Sequence, residues 1–276
     1  MTPVSLIHLS DLHFGRYVDL DQIAAIDRFI GTTSPGAVII SGDLTQRARH
    51  GEFQRALAFV ERARLTAPVL LVPGNHDTEW WKSPFGLLGH EVKHRKYHQY
   101  FPELDPVLEL SGARVVGTVS ANGLAWGSVS WNPRDLTVKG HLPRREAERA
   151  RDQFTGSDHG TLRVVVLHHN VLRGQISQRM GLAHPARAAR WLARSGADLV
   201  LCGHDHQESI GQIDGRVVVS AASTHTSMTR GKRPSAFNQI MVEDDRIVVR
   251  HQRWDNGSGA FRPGDEARFA RLGRKS

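Results

Sequence analysis

Cysteine is nearly absent from this chain. Cys202 stands alone among 276 residues, so no disulfide can close within the chain, and a reducing cytoplasm is the expected compartment. No run of about 18 apolar residues occurs, which excludes a helix spanning a bilayer. A signal peptide's charged start and long apolar stretch are missing too; MTPVSLIHLSDLH enters a β-type run almost at once. There is no internal repeat and no low-complexity linker, so a single domain is expected over residues 1–254. Residues 255–276 are expected to be a loosely packed tail. The net charge of +8 is scattered over pairs such as Arg144-Arg145 and the terminal Arg268 to Lys275, with no dense run interleaved with aromatics. That pattern favours attraction of a small anion such as a phosphoric ester and disfavours nucleic acid as a partner.

What the chain does have is a set of short apolar runs, each ending in side chains that bind metals. LIHLS leads to Asp11-Leu12-His13, AVIIS to Gly42-Asp43, and VLLVP to Gly74-Asn75-His76-Asp77. RVVVL leads to His168-His169, and DLVLC to Gly203-His204-Asp205-His206. A parallel strand followed by a loop delivers side chains to the carboxyl edge of a sheet, where α/β folds build their sites. Carboxylates, one amide and several imidazoles meeting at one edge suit two divalent transition metals, which points to a dinuclear metallohydrolase.

The spacing predicts the elements that carry these loops. Asp19 to Ile30 places Leu20, Ile23, Ile26 and Ile30 on one helical face, with Asp19 as N-cap and Gly31 as the stop. Arg47 to Arg64 repeats the pattern, and Pro185 to Ser195 is bounded by a proline and by Gly196. Beyond residue 207 the texture becomes strands and tight turns: Arg216 to Ser220, Ala236 to Val242 and Arg246 to Trp254. Residues 112–131 read as strands around Asn122-Gly123. The architecture expected is α/β, a four-layer αββα sandwich of two mixed β-sheets flanked by helices. Residues 78–111 interrupt the core pattern as an insertion near the site, suited to contacts that select substrate. Within it His90, His94 and His98 share a helical face with Tyr97 beside them, more readily explained as a helix surface than as a third metal site.

Any one of the clusters alone is weak evidence, because Asp-x-His and Gly-Asp recur by chance. Together and in this order, DLH, GDL, GNHD, HH and GHDH resemble the calcineurin-like metallophosphoesterase superfamily over about residues 4 to 225. The resemblance implies that Asp11, His13 and His206 hold one metal, that Asn75, His168 and His204 hold the other, and that Asp43 bridges them. The metals would be Mn, Fe, Zn or Co, sharing a bridging hydroxide. It also implies that His76 contacts the phosphate and protonates the leaving oxygen. Asp77 then either fixes the His76 tautomer or caps the following turn. His169, Asn122 and His225 are candidates for substrate contact. Asp205 is expected to point away from its ligand neighbours, and Cys202 to be core. Asp158-His159 follows no apolar run and is set aside.

Within the superfamily, SDLHFGR, SGDLTQRA and VPGNHD are most similar to the bacterial class III cyclic-nucleotide phosphodiesterase-like group. That implies hydrolysis of a cyclic nucleotide or similar small diester. The alternative is cleavage of a pyrophosphate in a nucleotide-linked lipid precursor of the UDP-diacylglucosamine type, for which Trp80, Trp81, Phe85, Leu87 and Leu88 would supply the apolar groove. A nuclease and a non-catalytic scaffold rank lower, because no nucleic-acid-binding appendage is evident and a scaffold has no need of the full ligand set.

Overall fold

The computed structural model describes residues 4–79, 91–122, 139–158, 160–220, 229–243 and 245–271. Each apolar run that ends in a motif is a strand: β1 (Val4–Leu9), β2 (Ala37–Ile40), β3 (Val69–Leu71), β6 (Leu162–His169) and β7 (Leu199–Gly203). The remaining strands are β4 (Val107–Leu110), β5 (Ala113–Gly117), β8 (Ser209–Ile213), β9 (Arg216–Ser220), β10 (Ala236–Val242), β11 (Arg246–Asp255) and β12 (Ala260–Ala270). They form two six-stranded sheets, in the orders β12-β11-β10-β1-β2-β3 and β4-β5-β6-β7-β9-β8. Both sheets are mixed. β1, β2 and β3 run parallel with β10 antiparallel beside them, and β5, β6, β7 and β9 run parallel.

Alternation along the strands sorts side chains among three cores. Leu6, Ile39, Val164, Leu201, Ile240 and Val249 meet between the sheets. Ile7, Leu9, Val38 and Ile40 face outward under α1 (Leu20–Thr33) and α2 (His50–Arg64). Val165, Leu167 and Val200 pack under α4 (Arg144–Phe154) and α5 (Pro185–Ser195). The result is the expected αββα layering. Among the described residues no helix is long and apolar enough to cross a membrane.

Several boundaries differ from expectation. Asp19 does cap α1, its side chain accepting from the Asp21 and Gln22 amides. Gly31 does not end the helix. It is exposed with open space around it, and one glycine costs only about 1 kcal/mol against alanine. The stop is Ser34, left-handed at φ 43°, immediately before Pro35. α2 starts at His50 because Glu52 turns back to accept from the Arg47 and Arg49 amides, which holds those residues outside the helix. Residues 260–270 are not loosely packed: β12 pairs along β11, and Phe261 is buried against Trp254 and Phe237. Its charged residues and Pro263 mask the β pattern, yet both are suited to the edge of a sheet.

The stretch 78–111 contains α3 (Glu91–His98), which buries Tyr97 against Phe53 and Phe101, and it ends in β4, an edge strand of the second sheet. His94 is buried, and His98 bonds to the Pro102 carbonyl at 2.9 Å. No metal-ligand cluster among the described residues includes either. His90, His159, Trp80, Trp81, Phe85, Leu87 and Leu88 lie outside the described residues, as does the rest of the stretch from residue 123 to 131.

Candidate metal centre

The loops after β1, β2, β3, β6 and β7 converge because two of their glycines have no side chain. A Cβ on Gly74 would lie 2.1 Å from Asp43 Oδ1, and one on Gly42 would lie 2.7 Å from His168 Nδ1. Gly42 also sits at φ +95°, a conformation that only glycine takes without strain. Strain is accepted at the functional side chains themselves. Asp11 (φ 55°), His13 (45°), Asp43 (51°), His204 (73°) and His206 (54°) are all left-handed. Each such residue costs of order 1–3 kcal/mol, and the cost persists only where surrounding structure enforces it. All five lie in the loops just past β1, β2 and β7 and not in the strands themselves.

Two groups of donor atoms result. In the first, His13 Nε2 and His206 Nε2 lie 3.1 Å apart. Asp11 Oδ1 is 3.2 Å from His206 Nε2, and Asp43 Oδ2 is 3.8 Å from His13 Nε2. In the second, Asn75 Oδ1 lies 3.0 Å from His168 Nε2 and 2.9 Å from His204 Nδ1. Those two ring nitrogens are 3.2 Å apart, and Asp43 Oδ2 is 3.3 Å from His168 Nε2. Asp43 therefore belongs to both groups through one oxygen. Its other oxygen accepts from the His76 amide at 2.8 Å, and Asp11 Oδ2 accepts from the His204 amide at 3.0 Å. In each carboxylate one oxygen is fixed by main chain while the other faces the cluster.

The residues fit two divalent cations. The His168 Nδ1–H is spent on the Ser41 carbonyl at 2.8 Å. A neutral His168 thus turns the lone pair of Nε2 toward the oxygens of Asn75 and Asp43, and a cation makes that convergence favourable. Without metal, a proton takes that place. Burial alone would lower the His168 imidazolium, but the Asp43 carboxylate beside it carries it up to about 9. Burial pushes His13 down to about 4 and His204 well below its usual range, which keeps both as lone-pair donors. Asp43 is pulled well below the usual carboxylate range despite burial, first by His168 and then by His76 and His13.

Two further imidazoles flank the groups, one on each. His76 stands edge-on to His13 with ring centroids 5.0 Å apart. Its Nδ1–H is held by the Gln46 carbonyl at 2.8 Å, so Nε2 is the atom left to present. Asp77 does not orient that ring. Its carboxylate is buried and accepts from the amides of Leu44, Thr45 and Gly74 and from the Thr45 hydroxyl. It ties the GDL loop to the GNHD turn, and with Gly74 it closes the turn as a cap. Burial, then the nearby Asp43, pushes the Asp77 carboxyl up to about 6.

His169 leans on His204 at 4.4 Å between centroids. The Ser120 hydroxyl oxygen accepts from the His169 amide at 3.2 Å and lies 2.9 Å from Nδ1. Asn122 donates its side-chain amide to the His141 carbonyl at 3.0 Å, which ties that group into the loop. His225 lies outside the described residues. Asp205 turns away from the cluster to accept from Ser177 at 2.7 Å, and Cys202 is buried.

Sequence reasoning missed Gln46 and Ser120, whose roles are to hold His76 and His169. It also missed the Ser41 carbonyl, because main-chain acceptors leave no trace in residue identity.

Comparison with known proteins follows the same line. Residues 4–208 match the calcineurin-like phosphoesterase family. No curated protein sequence matches the chain. The fold is shared by a dimetal phosphatase from Danio rerio (TM-score 0.66, 14% identity, 97% of this chain and 99% of that one). A purple acid phosphatase from yellow lupin (Lupinus luteus) seeds is similar at TM-score 0.67 and 12% identity over 98% of this chain and 54% of its own, so the chain spans about half its length. A third similar structure, GAP50, is the anchor in the inner membrane complex of Plasmodium (TM-score 0.64, 13% identity, 98% of this chain and 89% of that one). An anchor and two phosphatases on one architecture show why activity is argued from the site and not from the fold.

Proposed function

The chain belongs to the calcineurin-like phosphoesterase family and is a metallophosphoesterase, and on that premise we propose that it hydrolyses small phosphodiesters at a dinuclear centre. The observation that carries the reading is the shared oxygen. Asp43 Oδ2 faces His13 in one donor group and His168 in the other, which is what a carboxylate bridging two cations requires. Two divalent ions bound there would supply Lewis acidity and a water nucleophile at neutral pH.

The chain's own groups divide the remaining work. Asp11, His13 and His206 would hold one ion, and Asn75, His168 and His204 would hold the other. Asn75 is a neutral oxygen ligand, so the centre keeps more positive charge for a phosphate than a carboxylate there would leave. His76, whose Nδ1–H is held by the Gln46 carbonyl, turns Nε2 toward the site, and from its imidazolium form that atom would give a proton to the leaving oxygen. His169, held by Ser120, would contact a non-bridging phosphate oxygen. The polar groups that hydrogen-bond within the cluster, among the described residues, are imidazoles, carboxylates and an amide. A singly charged diester suits such a rim better than a doubly charged monoester, which calls for added cationic side chains.

A substrate panel tests this. Protein stripped with chelator and reloaded with Mn²⁺ is assayed on bis(p-nitrophenyl) phosphate, 2′,3′- and 3′,5′-cyclic AMP, p-nitrophenyl phosphate and a UDP-sugar. Diesters should be turned over with the highest kcat/KM. A monoester preference would overturn the diester reading, and a UDP-sugar preference would favour the pyrophosphate alternative.

A further inference from the structure

The inner face of the first sheet changes character toward the metal centre. Ile39, Leu6, Ile240 and Val249, on four adjacent strands, belong to the apolar core between the sheets. Two residues further toward the metal centre on β1 stands His8, two residues back along the antiparallel β10 stands Asn238, and two residues on from Ile39 and Val249 stand Ser41 and His251. All are buried, Ser41, His8 and Asn238 completely. They are joined end to end. His251 Nδ1 lies 2.6 Å from Asn238 Oδ1, Asn238 Nδ2 lies 3.1 Å from His8 Nδ1, and His8 Nε2 lies 2.9 Å from Ser41 Oγ.

The bond directions follow from chemistry. An amide nitrogen only donates, so His8 Nδ1 accepts, and a neutral His8 must then give its Nε2 proton to Ser41. An amide oxygen only accepts, so His251 donates from Nδ1. Every bond in the row points toward Ser41. Ser41 in turn accepts the Nδ1–H of His168 on its carbonyl at 2.8 Å and a bond from the Ser10 hydroxyl at 3.3 Å. Its own amide is held by the Leu9 carbonyl at 2.9 Å. The row thus ends on the residue that sets the ring angle of His168.

Polar side chains with no water access are kept only when each is satisfied, and an apolar row would serve stability at least as well. We propose that Ser41, His8, Asn238 and His251 form a positioning ladder that holds the Ser41 carbonyl against His168 and so tunes the second metal position, the one made by Asn75, His168, His204 and Asp43. The ladder contacts no ligand atom that faces the metals; it acts through the far nitrogen of one imidazole. Outer partners of this kind typically set metal affinity by about 10–100-fold. The inference rests on the dinuclear reading above, and its test separates the two.

The experiment is a Co²⁺ titration of chelator-stripped full-length protein, followed by calorimetry and by visible absorption of bound Co²⁺. Wild type, His8→Leu, His8→Gln, Ser41→Ala and, as reference, His168→Ala are compared. Glutamine can give an N–H to Ser41 and take one from Asn238, so His8→Gln should titrate close to wild type. His8→Leu should leave the first equivalent unchanged, weaken the second by about 10–100-fold and shift its absorption bands. Ser41→Ala removes one oxygen and almost no volume. It should weaken the second equivalent in the same direction, and it decides the matter if His8→Leu does not fold. Wild-type second-site affinity and spectrum in Ser41→Ala would overturn the ladder while leaving the dinuclear centre intact. A His168→Ala protein that still binds two Co²⁺ as wild type does would overturn the placing of His168 at the second metal, and the ladder with it; a wild type that takes up fewer than two Co²⁺ per chain would overturn the dinuclear reading.

Discussion

The two halves of the metal centre are built from the same kinds of loop and differ in charge. The first group places Asp11 with the shared Asp43 around two imidazoles, and the second replaces the private carboxylate by the amide of Asn75. Each half has a further imidazole beside it, His76 at His13 and His169 at His204, and a ring nitrogen of His169 lies within 4.8 Å of those of His168 and His204. The difference teaches that a dinuclear site need not be symmetric to share a bridge. The half with two carboxylates is the stronger cation trap. The half with the amide depends more on how its imidazoles are held, which is where the buried polar row ends.

Removing the bridge breaks the comparison altogether. Asp43→Ala deletes the oxygen common to both halves, so metal content measured by elemental analysis should fall from two per chain toward one or none, and diesterase activity should fall with it. Two metals and near-normal turnover in this variant would mean that Asp43 is not the bridge.

Removing the imidazole on the first half should cost chemistry and spare metal. His76→Ala is expected to lower kcat by about 10²–10⁴-fold on substrates with an alkoxide leaving group, with metal content unchanged. The loss should be smaller for a nitrophenolate, which leaves without needing a proton. Equal losses on both would make His76 a phosphate contact only. A lost metal would make it a ligand.

Equalising the halves sharpens the contrast. Asn75→Asp adds a charge to the second half, and a unit charge about 4 Å from another is worth about 1–4 kcal/mol. The second metal should bind at least about tenfold more tightly, while phosphate affinity, read from KM or product inhibition, should weaken. A second-site affinity no tighter than wild type would show that the amide is not a ligand.

The smallest expected effect lies in the row beneath the centre. Burial lowers His8 from 6.5 to about 3, so between those values the unfolded chain binds a proton that the folded chain does not. Stability from this group is complete above about pH 6.5 and is lost as pH falls toward 3, with a slope of at most about 1.4 kcal/mol per pH unit. Urea unfolding of metal-free protein from pH 6.5 downward should show a shallower pH dependence in His8→Gln, by up to one proton. Parallel slopes would show that His8 does not resist protonation in the fold.

How much of this could be read from the residues follows from what each kind of feature depends on. Strand endings with Asp, Asn and His were legible because metal ligation restricts residue type and because β runs announce the sheet edge. The seven candidate ligand side chains are therefore legible by number, and they lie side by side in the structure. The β12 strand was not legible, since Pro263 and the charges of an exposed edge hide the alternation that marks inner strands. The true end of α1 was missed because the left-handed residue is Ser34 and not the glycine three positions earlier. The supports of His76, His168 and His169 were invisible for a different reason. Gln46 and Ser41 act through carbonyls, and Ser120 through a hydroxyl 49 residues away in sequence. The Asp77 carboxylate went to amides of a neighbouring loop, a choice set by loop packing that adjacency to His76 does not reveal.

The central claim is that two metals sit side by side across one aspartate. Crystals of the Mn²⁺-loaded protein, measured for anomalous scattering at the manganese edge, test it most directly. Two peaks about 3.5–4 Å apart, both in contact with the Asp43 carboxylate, are the predicted result. A single peak at full Mn²⁺ loading, or two peaks that do not share Asp43, would contradict it.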